Sequence, residues 1–408
     1  MPEILFVWHY VEWGGVQIYF LGIIRQALAL GYSVKVVMPE NSSEKLLGYL
    51  RVENVPVSFF PAKLDCSLSE SVWYKIRRRA RDARTRFVLA RHLEKNGLRG
   101  KIVQIDAGAW SDFLLLFYLA LKAHVFVTMH MATPFNPKSW RDALTKIKYR
   151  FLCGLPKFHL LCSNDDMKQS LRPFLPEKIW QTIPIAYTGV NSTEIQNALA
   201  APLESAELKH KYNLPGDKLL IFSLANIVER KGFRVLIEAA EKLSLNREDL
   251  FFVWIGDGEK LAEMQALISK KKLGDVFKII HPADFGGERS ELLQLLRLAD
   301  VFVHPSFAEG LPGAMLEAMA LGKPAVVSRI NAVPECITNG ENGFLVEAGD
   351  VEGFAATISN LANNDALREE LGRQAHNRVL ASFTEERCAR VTIDFYQKCL
   401  QTSINRLR

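Results

Sequence analysis

The stretch Pro305-Ser306-Phe307-Ala308-Glu309-Gly310-Leu311-Pro312-Gly313-Ala314-Met315-Leu316-Glu317 decides how the rest of this chain reads. It sets two glutamates eight positions apart around a turn rich in glycine and proline. A helix is predicted from Ala314 to Leu321, with Pro312 near its first position, where the missing N–H costs nothing. Gly322 suits the helix stop, and Ala325-Val326-Val327-Ser328 reads as the next strand. Glu309 therefore lies in the loop before the helix, and Glu317 about one turn inside it. Free N–H groups in this loop and at the helix start, with the positive end of the helix dipole, attract a phosphate. Two carboxylates make poor phosphate ligands. They suit paired hydroxyls, which they bind through charge-assisted hydrogen bonds worth about 1.5–3 kcal/mol each. A phosphate flanked by two sets of hydroxyls describes a nucleotide sugar.

Outward from this loop, strand and helix signals alternate. The first half reads as strand 4–8, glycine loop 12–15, helix 16–30, a stop at Gly31 and strand 33–38. Further strands are predicted at 101–105, 124–129, 158–162 and 181–186. The pattern restarts with strand 218–225, Lys231-Gly232 and helix 233–243. Strand 250–255 ends in Gly256-Asp257-Gly258, and helix 259–271, strand 276–281, helix 288–298 and strand 300–304 follow. Such alternation predicts an α/β protein with parallel sheets covered by helices. The stretch 191–216, rich in Ala and Pro, is the expected linker, which divides the chain into domains 1–195 and 196–384. No short-period repeat or low-complexity tract is visible.

The 408 residues suffice for two separate cores, and 49% apolar with 24% charged residues is a globular composition. The six cysteines are scattered, with neither a Cys-x-x-Cys pair nor a zinc-like Cys/His spacing. They read as reduced thiols of a cytoplasmic protein, and no signal peptide precedes Ile4-Leu5-Phe6-Val7. The most apolar window, Phe113 to Met129, contains Lys122 and His124 and is short for a membrane span. It reads as a helix followed by the strand Val125-Phe126-Val127-Thr128.

The double-glutamate run, with Ala318-Met319-Ala320-Leu321-Gly322-Lys323-Pro324 after it, resembles the Glu-x7-Glu motif of the family 4 retaining glycosyltransferases, the glycosyl transferases group 1. Trp13-Gly14-Gly15-Val16-Gln17 resembles that family's first glycine loop. Ala225-Asn226-Ile227-Val228-Glu229-Arg230-Lys231-Gly232 resembles its Gly-Arg-Leu-x3-Lys-Gly segment. Val333-Pro334-Glu335 and Asn339-Gly340-Glu341-Asn342-Gly343-Phe344-Leu345-Val346 extend the likeness over nearly the whole chain. The resemblance implies a GT-B fold, two Rossmann-like domains facing a cleft, with the last helix, about 385–408, returning to the first domain. It also implies transfer of a sugar, with retention of configuration, from a nucleotide diphosphate sugar to a hydroxyl of a glycan or glycolipid. No cofactor or metal is expected, and no Asp-x-Asp motif appears.

By the same resemblance Glu317 holds ribose hydroxyls, Glu309 faces the donor sugar, and the backbone of Gly310, Leu311, Pro312, Gly313 and Ala314 meets the diphosphate or sugar. The bland alternatives are an exposed helix glutamate, a capping carboxylate and an ordinary turn. Lys231 is expected to bind the leaving diphosphate, where a fixed cation acts on charge that grows in the transition state. The family has an arginine at the position of Asn226, so here a neutral donor stands in its place, and Arg230 is the candidate to compensate. His130 follows a strand, where the family places a histidine near the sugar; the alternative is a structural histidine. Gly14 and Gly15 let backbone approach the phosphates or the acceptor, with His9 and Glu12 beside them. Asn331-Ala332 stands where many relatives have two glycines.

Lys75 to Arg91 carries eight basic residues against Asp82, beside an apolar stripe of Ile76, Ala80, Ala83, Phe87 and Ala90. This helix 75–91 is a candidate for an anionic membrane surface on the inner face of the membrane. A core-docked helix with a solvated basic back explains it equally, and binding of a polyanionic acceptor is a further reading. No nucleic-acid module is visible. The rival functions are an epimerase of the same fold, an inactive nucleotide-sugar-binding relative and, more remotely, a dinucleotide oxidoreductase, which lacks its Gly-x-Gly-x-x-Gly after the first strand.

Overall fold

A computed structural model describes residues 2–9, 15–62, 72–130, 135–286 and 288–405. The chain forms two compact units, residues 1–187 with 385–408, and residues 188–384.

Unit 1 is built on a six-stranded parallel sheet of β1 (Ile4–Val7), β2 (Val34–Pro39), β3 (Val57–Phe60), β4 (Ile102–Ile105), β5 (His124–Met129) and β6 (Phe158–Cys162). The order across the sheet is β3-β2-β1-β4-β5-β6. Its helices are α1 (Gly15–Ala29), α2 (Glu44–Val52), α3 (Val72–Lys95), α4 (Phe113–Lys122), α5 (Trp140–Cys153), α6 (Asp165–Leu171) and α7 (Glu177–Thr182). Strand side chains alternate between the two faces. Leu5, Val7, Val103, Ile105, Val125 and Val127 join one core with residues of α3, α4 and α5. Ile4, Phe6, Val34, Val36, Ile102 and Phe126 join the other, beneath α1. Burial on both faces explains why these strands read as continuous apolar runs.

Unit 2 repeats the plan with β7 (Leu219–Leu224), β8 (Leu250–Ile255), β9 (Phe277–Ile280), β10 (Val301–His304), β11 (Ala325–Ser328) and β12 (Phe344–Val346), ordered β12-β11-β10-β7-β8-β9. Its helices are α8 (Ser192–Ala200), α9 (Ser205–Lys211), α10 (Phe233–Ser244), α11 (Leu261–Lys270), α12 (Arg289–Arg297), α13 (Gly313–Ala320), α14 (Val333–Cys336), α15 (Val351–Ala362) and α16 (Asp365–Ser382). The last helix, α17 (Glu385–Asn405), belongs to unit 1 and lies along α1.

Three expectations change. The division expected at 195/196 falls between Tyr187 and Thr188, because α8 is tied to unit 2. The Asn191 side chain caps α8, and the Arg297 guanidinium donates to the carbonyls of Ala198 and Ala201 at 2.7 and 2.8 Å. The expected linker 191–216 is thus largely helical, as α8 and α9. The strand expected at 181–186 is the end of α7 followed by a single bridge, Cys162 to Ile185. Ile179 and Trp180 of α7, with Ile183 just after it, pack against the core at helical, not alternating, spacing.

α17 is held by buried polar groups. The Tyr396 hydroxyl donates to Gln104 Oε1 at 2.7 Å, and Gln104 Nε2 donates to Thr128 at 2.9 Å. At its start Glu385 meets Arg25 at 2.9 Å, which also holds Glu53 at 2.7 Å. Tyr396→Phe leaves the buried Gln104 carbonyl without its donor. It is expected to lower stability by about 1–3 kcal/mol, read as a fall in the urea midpoint at unchanged slope. An unaltered midpoint would refute that account of α17.

Candidate active site

The strand order of unit 2 reverses between β10 and β7, and the loops leaving their C-terminal ends form the crevice where open α/β sheets bind ligands. After β7 comes a tight turn, Glu229–Lys231, which stops at Gly232 with φ +71°. After β10 comes the loop 305–312. The two are stitched together, since the Arg230 carbonyl accepts from Phe307 N at 2.8 Å and from the Ser306 hydroxyl at 2.9 Å. The approach is so close that a Cβ on Gly232 would lie 1.9 Å from the Pro305 carbonyl oxygen.

This stitching brings Lys231 onto Glu309. The Lys231 ammonium pairs with Glu309 Oε1, to which the Ser306 hydroxyl donates at 2.8 Å, and His304 Nε2 lies 3.0 Å from the same oxygen. Arg230 reaches Oε2 at 3.4 Å and also donates to the Ala308 carbonyl. The Glu309 side chain is 9% exposed and that of Lys231 15%. Burial pushes the Glu309 carboxyl up, but His304 and Lys231 outweigh it and hold the group well below the usual carboxylate range.

A depressed folded-state pKa contributes stability above the unfolded value, near 4.5, and this is lost as pH falls through the lower folded value. Glu309→Gln is therefore expected to be less stable than wild type at neutral pH, by about 1.5–3 kcal/mol. The gap should narrow steadily below about pH 4.5. Denaturant titrations of both proteins across pH read this, and a gap independent of pH would sink it.

Glu317 lies on α13, whose observed start, Gly313, comes one residue before the expected one. Arg289 of α12 grips it with both arms, at 2.6 and 3.1 Å, and extends its Nε to Glu194 of α8 at 2.9 Å. Burial disfavours the guanidinium charge, but Glu317 and Glu194 more than restore it. The Arg289 fork aligns the Glu317 carboxylate and leaves lone pairs free for hydroxyl donors. Leu311 and Pro312 are buried, Gly310 and Ala314 partly so, and Gly313 is exposed with nothing within 4 Å of where a Cβ would stand. The helix stops as expected: Gly322 has φ +76°, and Lys323 N donates to the Ala318 carbonyl.

Asn226 is exposed in the loop after β7, so Arg230 supplies the second positive charge beside Lys231. Asn331, at φ +41°, takes the left-handed conformation that asparagine tolerates better than most residues. Its Oδ1 accepts from Glu309 N at 3.2 Å, so the side chain, unlike a glycine, buttresses the loop.

In unit 1 the order reverses between β1 and β4. Gly14 and Glu12 lie outside the described residues. Gly15 opens α1, with nothing within 4 Å of a Cβ placed there. His9, in the loop after β1, lies 3.7 Å from Asp112, a buried carboxylate that Arg86 also meets at 2.5 Å. Burial raises the Asp112 pKa, but His9, Ser111 and Arg86 prevail and keep it low. His130 packs edge-on against Tyr19, with ring centroids 4.8 Å apart. Its Nε2 is buried without a hydrogen-bond partner among the described residues, and burial lowers its pKa, which favours the neutral ring.

Four contributors escaped the sequence reading: His304, Ser306, Arg289 and Asp112. Ser306 lay inside the decisive stretch, and His304 ends the strand that feeds it. Arg289 and Asp112 carry no local signal, because their partners come from other elements. Among the described residues, no three His, Cys, Asp or Glu side chains gather as a metal site.

Residues 204–378 match the family described as Glycosyl transferases group 1. The chain is 32% identical over 176 residues to the lipopolysaccharide core biosynthesis glycosyltransferase LpsE of Rhizobium meliloti (strain 1021), covering 43% of this chain and 49% of that one. It is 24% identical over 268 residues to the capsular polysaccharide biosynthesis glycosyltransferase CapM of Staphylococcus aureus, covering 64% and 69%. The chain spans about half the length of most of the curated relatives it matches. A solved glycosyltransferase from Rickettsia africae superposes with a TM-score of 0.75 at 20% identity, covering 98% of each chain. Anabaena Alr3699/HepE, solved with UDP and glucose, superposes with a TM-score of 0.74 at 15% identity, covering 98% of this chain and 100% of that one. These likenesses show the fold: two Rossmann-like units of the GT-B class.

Proposed function

We propose that this chain, which carries a glycosyl transferases group 1 domain at residues 204–378, moves a sugar from a nucleotide diphosphate sugar to a hydroxyl of a glycan or glycolipid. The pairing of Lys231 with Glu309 at the strand-order reversal of unit 2 carries the reading. A donor entering there offers both groups partners of the right kind. The diphosphate takes the ammonium of Lys231 and the guanidinium of Arg230, and the sugar hydroxyls take the carboxylate of Glu309. Glu317, aligned by Arg289, accepts the ribose hydroxyls. The relatives named for polysaccharide and lipopolysaccharide synthesis, and the UDP and glucose of the HepE structure, favour this donor and acceptor class.

In this mechanism the bond between the sugar and the diphosphate breaks first, and negative charge collects on the leaving phosphate. Lys231 and Arg230 stabilise that charge as it grows, in place of a metal. The acceptor oxygen then bonds the anomeric carbon on the face the diphosphate left, while its proton passes to the leaving phosphate oxygen, which retains configuration and needs no protein base.

The test is a screen of UDP-, GDP-, ADP- and TDP-sugars with cell-derived lipid extract, without added metal. Release of a nucleoside diphosphate from one donor that persists in chelator is expected, with a product that has the donor's anomeric configuration. Binding of every donor class without release would make the chain a binding protein. Dependence on a divalent cation would remove the metal-free role of Lys231.

A further inference from the structure

α5 has two apolar stripes. Tyr149 and Leu152, with Thr145 between them in the buried arc, face the core of unit 1. Trp140, Leu144, Ile147 and Phe151 face outward and are 68%, 37%, 63% and 49% exposed. At about 100° per residue these four fall within roughly 60° of arc, on the side away from the core. A solvated helix back has no reason to carry a second apolar line.

The same outward side continues onto α4, where Leu114 and Leu121 are 77% and 56% exposed. Aromatic rings join the two helices, with the Phe117 and Phe151 centroids 5.5 Å apart, and Trp110 in the turn before α4 meets Trp140 at 5.9 Å. Basic residues run along both margins of the α5 stripe. Arg141 and Lys148 lie on one side, and Lys146 and Arg150 on the other. The helix has one acid, Asp142, whose carboxylate is taken up at the helix start by Asn136 N at 2.7 Å. Arg141 and Lys148 lie over the Trp140 and Trp110 rings, so the cations and the aromatics share one surface.

We infer that the α4–α5 face docks unit 1 onto an anionic lipid bilayer. Apolar side chains with tryptophan at the boundary suit the headgroup–acyl junction, and the basic margins complement an anionic leaflet. No helix among the described residues is long and apolar enough to cross a membrane, so the contact is peripheral. The inference moves the membrane contact away from helix 75–91, where Arg86 turns inward to the buried Asp112. It stands apart from the transferase reading, since it concerns a different surface and has its own readout.

The experiment is flotation of the full chain with vesicles of phosphatidylglycerol mixed with phosphatidylcholine, and of phosphatidylcholine alone. Wild type is expected to float with the anionic vesicles and to be released by salt. Trp140→Ser with Ile147→Glu changes only exposed side chains and is expected to reduce partitioning at least ~10-fold. Leu245→Ser, exposed on unit 2, leaves it unchanged. Lys146→Glu with Arg150→Glu weakens binding to anionic vesicles and flattens its salt dependence. Wild type remaining with the bulk solution, or the stripe variant binding as wild type does, overturns the inference. So does a dimer in sedimentation that the stripe variant abolishes while vesicles are ignored, because a second copy would then cover the face. Donor turnover in detergent, read alongside, tests the transferase reading separately.

Discussion

Lys231→Ala is expected to lower turnover by about 100- to 1000-fold, the scale for losing one fixed group that stabilises transition-state charge. The loss should fall mainly in kcat, because the charge on the leaving diphosphate is larger in the transition state than in the bound donor. Geometry adds a second effect. Lys231 neutralises a buried carboxylate, so in the proposed donor pose its removal leaves Glu309 facing the diphosphate with His304, Ser306 and Arg230 beside it. Part of the damage would then be repulsion. Lys231→Ala combined with Glu309→Gln should therefore be no slower than the product of the two single effects predicts, and measurably faster if repulsion contributes. Steady-state release of nucleoside diphosphate measures all three. A Lys231→Ala enzyme within tenfold of wild type would remove Lys231 from the chemistry.

Gly232→Ala is the substitution expected to harm the fold most. Its φ of +71° is left-handed, which costs an L residue about 1–2 kcal/mol. The added Cβ would stand 1.9 Å from the backbone oxygen of Pro305, so one of the two site loops must move, at a further cost of about 1–3 kcal/mol. A total loss of about 2–5 kcal/mol should appear in denaturant titration. Activity should fall with it, since the displaced loops carry Lys231 and Glu309. Gly313→Ala is the contrast, because its Cβ meets nothing within 4 Å and its stability should stay within about 0.5 kcal/mol of wild type. Lost donor affinity in a fully stable Gly313→Ala protein would mean that its glycine serves the ligand and not the fold. Comparable melting of both variants would contradict the close approach at Gly232.

Much of this was legible in the chain because it depends on local chemistry. Pro312, Gly322 and Pro324 punctuate α13 and β11, and those elements lie within a residue of where the sequence places them. Apolar runs of four and six residues marked β1 and β8, which are buried on both faces. Local reading failed where composition and contact disagree. Residues 191–216 look like a linker, yet Asn191 caps a helix there that Arg297 fastens to α12. The aromatic stripe of α5 has no signal of its own, because apolar residues lie on two faces of that helix and only packing shows that Tyr149 and Leu152 take the core side.

By itself the sequence determined the two-part α/β plan, the loops that bear Glu309 and Lys231, and the helix that bears Glu317. Periodicity, turn residues and motif spacing are properties of neighbours along the chain. Only the tertiary structure decided that Lys231 neutralises Glu309, that His304 and Ser306 complete that cluster, and that Arg289 aligns Glu317. Those contacts join residues from separate elements, and it is parallel strand order that brings them together. The chain positions of Lys231 and Glu309 differ by 78, yet they meet because β7 and β10 are neighbours in the sheet.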